Sequence, residues 1–312
     1  MSISIYRTSD GWWAGAPDGV ARIETDAATT AELLTDRTAI EHTAASPSTI
    51  PVETLELRSP VTAPCRVVAQ MTNFTSHVLD AGMNPKGVPL TFFRKASGSV
   101  TGPGADIVKP AHVRLLDYEV EIGLVIGRDM PVGTTISAEN LADYVCGLVV
   151  TNDVSARDVQ LTKTQFYEAK SYPTFTPVGP ALVLLDADEL GRFGELHMQL
   201  RVNGEIRQDS IVEGDMIYRP AEALKALSRF QHLSAGDLVL TGTPVGTALS
   251  APAKTVQKIA SLLPEDVKWK LFFKGQSKNT KYLRDGDVVE ATVSTEDGKI
   301  DLGTQRNTVR FG

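Results

Sequence analysis

The sequence predicts an α+β, strand-rich fold, with a small N-terminal domain ahead of a large mixed β-sandwich or β-roll. Three observations point there. From Cys65 onward, short β-branched stretches bounded by turn residues recur: "RVVAQM", "EVEIGLVIG", "VCGLVVTND", "PALVLL", "MQLRVNGEIRQ", "DLVLTG", "DVVEATV" and "NTVRFG". Asn203-Gly204 separates two alternating arms, a strong hairpin signal. Helical patterns are fewer, chiefly "SAENLADYV", "RPAEALKALSRF" and "PAKTVQKIASLL".

Taken in order, residues 3–25 give short alternating pieces broken by Asp-Gly turns. "DAATTAELLTDR" follows as a helix, with Asp26 as its expected cap. The Pro-, Ser- and Thr-rich "TAASPSTIPVETLELRSPVTAP" reads as a connector. The expected division is therefore an N-terminal domain over 1–60 and a larger domain over 61–312. In "PAKTVQKIASLL", Val256, Ile259, Ala260 and Leu263 fall on one helical face, and Pro264 stops the pattern.

The 312 residues are 42% hydrophobic and 22% charged, an ordinary globular composition able to bury a full core. A net charge of −7 and no Lys/Arg cluster argue against nucleic acid as a partner. No apolar run approaches the ~20 residues of a membrane helix. The start "MSISIYRTSDGWWAG" lacks the basic and apolar segments of a signal peptide, so a cytoplasmic location is expected. Cys65 and Cys146 fit no metal spacing and are expected as free thiols, one disulfide being the alternative.

The stretch "LLDYEVEIGLVIGRD" places Asp117, Glu119 and Glu121 at every second position of an apolar run. Alternate residues of a strand share a face, and neighbouring buried carboxylates are costly without a cation. "TNDVSARDVQ" closes another apolar strand with a polar turn that carries Asp153, Arg157, Asp158 and Gln160. Two carboxylates from one strand and one from the end of another make an all-oxygen site suited to Mg²⁺, Mn²⁺ or Ca²⁺. A solvated strand face beside an unrelated Asn-Asp turn is the other reading. In "MTNFTSHVLDAG", His77 and Asp80 share a side of one helical turn, where a carboxylate could orient an imidazole base; a surface His near a cap is the alternative. "LTGTPVGT" lacks the Gly-Lys-Ser/Thr ending of a phosphate loop.

"DYEVEIGLVIG", "NDVSARDVQ", "AKSYPTFTPVGP", "VNGEIRQ" and "LTGTPVG", in this order, resemble the fumarylacetoacetate hydrolase family. The likeness covers Cys65–Gly246 and resumes at "LRDGDVVEATV". It implies the β-sandwich or roll of that family's C-terminal domain. It also implies a divalent cation (Mg²⁺ or Mn²⁺, with Ca²⁺ a further choice) on Glu119, Glu121 and Asp153, with Asp117 structural. By the same resemblance, Asn73, Phe74 and His77 match a lid segment, and Asp80 stands where the family usually has Glu. Lys170 and Gln160 would lie near the substrate's charged oxygens, with Lys95, Arg157 and Thr243 as further substrate-side residues. Pro173 replaces a frequent Asp.

The implied activity is hydrolysis of a carbon–carbon bond in an acylpyruvate-like dioxo acid, of the kind met in aromatic catabolism, by a cytoplasmic homodimer. His77, helped by Asp80, would activate water, and Lys170 would steady the charged oxygens. Decarboxylation of an oxaloacetate-type acid, isomerisation and hydration are rival chemistries. An inactive binding module of the same fold is the non-enzyme alternative. Residues 248–281 are expected at the pocket rim or a subunit contact.

Overall fold

The computed structural model describes residues 2–163, 165–251 and 264–312. The chain opens with a meander of β1 (Ile3–Thr8), β2 (Gly11–Ala16) and β3 (Gly19–Arg22). Helices α1 (Thr30–Thr35) and α2 (Arg37–Ala44) follow. Thr29, and not Asp26, caps α1: its side chain takes the Glu32 N–H while Glu32 reaches back to the Thr29 N–H. This reciprocal box satisfies two orphan donors, which an Asp three residues upstream could not reach.

Strands β4 (Val67–Met71) and β5 (Thr91–Lys95) flank α3 (Thr75–Asp80). The short β6 (Val100–Thr101), β7 (Ile107–Lys109) and β8 (Leu116–Asp117) lead to β9 (Val120–Ile126) and β10 (Val145–Asn152). Between these last two, "SAENLADYV" forms only a 3₁₀ turn at Leu141–Asp143, where a longer helix was expected. After β11 (Ser155–Ala156) comes α4 (Arg157–Lys163), which sequence reasoning took for a turn. Its Asp158 carboxylate accepts the Arg114 and Leu115 N–H groups, so a tertiary contact holds its first turn. Next come β12 (Thr176–Pro177), β13 (Leu182–Leu184), β14 (His197–Val202) and β15 (Glu205–Ile211). The chain ends with β16 (Leu238–Leu240), β17 (Val288–Ser294) and β18 (Asp301–Phe311).

A nine-stranded sheet runs β3-β2-β1-β13-β10-β9-β16-β4-β5, and a five-stranded sheet runs β15-β14-β17-β18-β7. The β14–β15 hairpin turns at Asn203 (φ 53°) and Gly204 (φ 81°), as the Asn-Gly signal requires. Between the sheets, Val120, Ile122, Leu124 and Ile126 of β9 pack with Met198, Leu200, Ala291 and Val293. Each such buried side chain contributes roughly 1.5–3 kcal/mol, and a one-residue slip of β9 would turn Glu119 and Glu121 into this core. The apolar side therefore fixes where the carboxylates point.

On the opposite face, Val125, Val149 and Leu238 pack with Ile5, Trp12, Leu33 and Ile40. With β1 paired to β13, the boundary expected at residue 60 falls between segments that share one sheet and one core. Among the described residues no helix is long and apolar enough to cross a membrane. Cys65 and Cys146 are free. Burial pushes their thiols up to about 11 and about 12, so neither is poised to react.

Candidate metal centre

Strands β9 and β10 pair antiparallel with Glu121 opposite Thr151. The register brings Asp153, just past β10, beside Glu119, and the Asp153 N–H donates to the Glu119 carbonyl at 2.8 Å. One ligand atom each from Glu119, Glu121 and Asp153 lie within 4.8 Å of one another, and all three residues are buried. This is the cluster the alternating sequence pointed to.

Three buried cations surround it. Lys170 Nζ donates to Glu119 Oε2 at 2.7 Å and to Asp153 Oδ2 at 2.5 Å. Arg157 donates to Glu119, to Asp117 Oδ2 at 2.7 Å and to Gln160 Oε1 at 2.9 Å. Lys95 donates to Asp153 and to the Phe175 carbonyl at 2.9 Å. Lys95, expected on the substrate side, thus sits behind Asp153. Arg157 holds the turn together while also lining the cavity with Gln160 and Lys170. Asp117 accepts the N–H groups of Tyr118, Ala248 and Leu249, the structural work expected of it.

The electrostatics divide the carboxylates. Burial raises the Glu119 pKa, but Arg157 and Lys170 outweigh it and hold the group at about 2. Glu121 moves the other way. Burial pushes it well above the usual carboxylate range, and Asp153 and Glu119 push it further. No ion pair is made by Glu121 among the described residues. Lys170 and the Gly242 N–H, at 2.8 Å from Oε2, oppose that rise. Among the described residues Lys95, Arg157 and Lys170 pair with Asp117, Glu119 and Asp153, and Glu121 is left without an ion-pair partner. Three converging hard oxygen donors, one of them without a counter-ion, fit a divalent cation.

The loop "LTGTPVG" supports Glu121 from behind. Gly242 has φ +91°, and a Cβ there would lie 2.9 Å from Asn73 Cβ. Gly242→Ala is therefore expected to cost about 1–3 kcal/mol, read by urea denaturation; an unchanged midpoint would show that the loop relaxes freely. Thr243 lines the cavity, but its hydroxyl donates to the Val120 carbonyl at 2.8 Å and accepts from Gln208 at 2.8 Å. Gln208 also accepts the Val120 N–H. It braces the first turn of the carboxylate strand, a role that "VNGEIRQ" did not disclose.

A cavity of about 350 Å³ opens in front of the carboxylates. Phe93, Phe166, Leu249 and Phe272 give it apolar walls. Phe272 belongs to the helix Glu265–Gln276, so part of the 248–281 segment does reach the rim; "PAKTVQKIASLL" itself lies outside the described residues. Asn73 anchors the lid segment: its amide donates to the Tyr218 and Thr241 carbonyls and accepts the Tyr218 N–H. Phe74 is buried in the core.

His77, on α3, lines the cavity, and its buried Nδ1 has no partner. Asp80 is not brought to the ring and does not line the cavity; its backbone carbonyl accepts from Ala251. The shared helical side was correct in spacing, but a side chain one methylene shorter than Glu falls outside the site. Pro173 lies in the loop before Thr174, whose hydroxyl takes the Val108 N–H. Gln70, which sequence reasoning passed over, also lines the cavity, with both amide atoms buried and unpartnered. Its only signal was a polar residue inside "RVVAQM".

The fumarylacetoacetate hydrolase C-terminal family matches residues 66–310. The chain belongs to the fumarylacetoacetate hydrolase family. Among its relatives, the oxaloacetate tautomerase YisK of Bacillus subtilis is 37% identical over 263 residues, 82% of this chain and 73% of that protein. The mitochondrial oxaloacetate tautomerase Fahd2a of Rattus norvegicus is 35% identical over 201 residues, 64% of this chain. The match spans 62% of that rat protein's length. A solved structure of a 2-hydroxyhepta-2,4-diene-1,7-dioate isomerase from Mycobacterium marinum superposes over 100% of this chain and 98% of its own, with TM-score 0.65 and 26% identity. Two of these relatives are named as tautomerases and one as an isomerase. A solved fumarylacetoacetate hydrolase from Exiguobacterium antarcticum, 24% identical with TM-score 0.69, shares the fold.

Proposed function

We propose that this protein is a divalent-metal-dependent enzyme that interconverts the keto and enol forms of a 2-oxo acid, with oxaloacetate as the first candidate. One observation carries the reading: the half-buried His77, its Nδ1 buried and unpartnered, shares a cavity with three converging carboxylates. A divalent cation on Glu119, Glu121 and Asp153 would supply Lewis acidity toward the oxygens of a 2-oxo acid. Arg157 and Lys170 hold Glu119 ionised, and Lys170 also holds the Asp153 side chain in place. His77 accepts a proton from carbon 3 and returns it, and the apolar walls keep bulk water away. The tautomerase names of the relatives at 35% and 37% identity favour the same chemistry.

Burial lowers the His77 pKa, so the imidazole is neutral and able to accept a proton at neutral pH. The acid limb of kcat/KM is accordingly expected below the ordinary imidazole value of 6.5. The decisive test is deuterium incorporation at carbon 3 of oxaloacetate, followed by NMR. His77→Ala is expected to slow it by about 10²–10⁴-fold while divalent affinity is kept. Exchange at the wild-type rate would remove His77 from the reaction.

Hydrolysis of an acylpyruvate is the second reading, favoured by the family's eponymous member. It needs a base that activates water, and among the described residues no carboxylate hydrogen-bonds to His77. Asp80→Glu would supply the longer side chain. If hydrolysis is the native reaction, acylpyruvate cleavage should already be measurable in the wild type and rise in this variant.

A further inference from the structure

We propose that this site also takes 2-oxo acids that carry an aryl group on carbon 3, and that a wall built on Phe93 and Phe166 receives the ring. This assignment rests on the enolisation reading for the chemistry at carbon 3 and widens the substrate class beyond oxaloacetate.

The sheet register puts the wall beside the metal carboxylates. Gly123 of β9 pairs with Leu240 of β16, Leu240 with Ala69 of β4, and Ala69 with Phe93 of β5. Phe93 therefore shares a sheet face with Glu121, two residues before Gly123. Its ring centroid lies 5.2 Å from Lys170 Nζ, the ammonium that bonds Glu119 and Asp153. Phe166 stacks with Phe93, the centroids 5.1 Å apart and the planes at 26°. Phe272, Leu161 and Leu249 extend this apolar lining around the cavity. Phe93, Phe166 and Phe272 are each half-buried, so part of their ring surface is left uncovered.

Size and charge then narrow the ligand. At about 350 Å³ the cavity falls in the roughly 300–1,000 Å³ range of pockets that enclose drug-sized ligands. Oxaloacetate, held by its oxygens at the metal centre, would leave the wall unfilled. Of the described lining residues only Arg157 and Lys170 are lasting cations, and each is already bonded to two carboxylates. The group that fills the wall is therefore uncharged. An aromatic ring fits it, since a ring buries a large apolar area and packs face-offset or edge-on against Phe166. The reaction favours the same substrate. The C–H bond at carbon 3 breaks and its electron pair becomes the C2–C3 double bond. The proton passes to His77 and on to solvent, and the 2-oxo oxygen takes up another in its place. An aryl ring on carbon 3 conjugates with the new double bond and stabilises the enol.

The test loads the full chain with Mg²⁺ and titrates it calorimetrically with N-phenyloxamate and N-methyloxamate. Both carry nitrogen at the third position and cannot enolise there, and they differ only in the group on that nitrogen. Wild type is expected to bind N-phenyloxamate the tighter by about tenfold or more. Phe166→Ala and Phe272→Ala should each cut that ratio by about threefold or more, with the loss falling on N-phenyloxamate. Equal affinities in the wild type, or a ratio unchanged in both variants, would overturn the proposal. Parallel weakening of the two oxamates in both variants would also overturn it, as the mark of a purely structural role. Deuterium exchange at carbon 3 of phenylpyruvate should run above the enzyme-free rate, and Phe166→Ala should raise its KM more than that of oxaloacetate. Exchange of oxaloacetate but not of phenylpyruvate would overturn the proposal and leave the enolisation reading standing. A ring preference between the oxamates with no exchange from either acid would keep the wall as the ring's binding site and remove the enolisation reading.

Discussion

Asp153→Ala is expected to destabilise the protein by about 3–5 kcal/mol and to abolish divalent binding. Asp153 is the shared acceptor of two buried ammonium groups, Lys95 and Lys170. Lys170 would keep Glu119, but Lys95 would retain only the Phe175 carbonyl. A buried cation stripped of its counter-ion is among the most costly single changes a core can suffer. Burial already lowers the Lys95 pKa, and Asp153 is the main influence opposing it. Urea denaturation of the metal-free variant reads the effect directly. A loss below ~1 kcal/mol would mean that water reaches Lys95 and that the buried ion-pair account is wrong.

Glu121→Gln is expected to separate metal binding from stability. It removes one of three anionic ligands, so divalent affinity should fall by about a hundredfold or more. The metal-free fold should hold or gain stability, because Glu121 is the carboxylate that burial and its two acidic neighbours disfavour. Gln also retains an oxygen for the Gly242 N–H. Calorimetric titration with Mn²⁺ and thermal melts without metal check the two halves. Unchanged Mn²⁺ affinity would remove Glu121 from the ligand set.

The same asymmetry sets a pH dependence for the metal-free protein. Glu121 binds its proton more tightly folded than unfolded, so stability is expected to fall as pH rises from about 4.5 through its raised folded pKa. Glu119 has the opposite sign. Its contribution is present above the ordinary value of 4.5 and is lost as pH falls toward about 2. Saturating Mg²⁺ should suppress the alkaline loss, and Glu121→Gln should remove it. A metal-free Tm that rises monotonically across neutral pH in the wild type would contradict the assignment.

What the sequence made legible was local. Alternation in β9 exposed the carboxylate row, Asn203-Gly204 placed a hairpin, and the family resemblance turned the open reading of Glu119, Glu121 and Asp153 toward a metal site. What it concealed depended on long-range pairing. The β1–β13 ladder joins residues some 180 apart (Ile3 with Leu184), and no periodicity within 1–60 could reveal it. Helix α4 is too short for a helical period to show, and contacts from Arg114 and Leu115 hold it. Lys95 could be seen as a lysine beside aromatic residues, but its place behind Asp153 follows from packing alone. The spacing of His77 and Asp80 was read correctly; the reach of the side chain was a tertiary fact.

A metal ion on Glu119, Glu121 and Asp153 would make this chain a catalyst of enolisation. The most direct measurement is the rate of keto–enol interconversion of oxaloacetate with wild type and Glu121→Gln at the same Mg²⁺ concentration, since free Mg²⁺ then contributes equally to both. Wild type is expected to run well above the Mg²⁺ background and to be stopped by a chelator, and the variant to stay near that background. Equal rates for the two proteins would contradict that role of the metal ion.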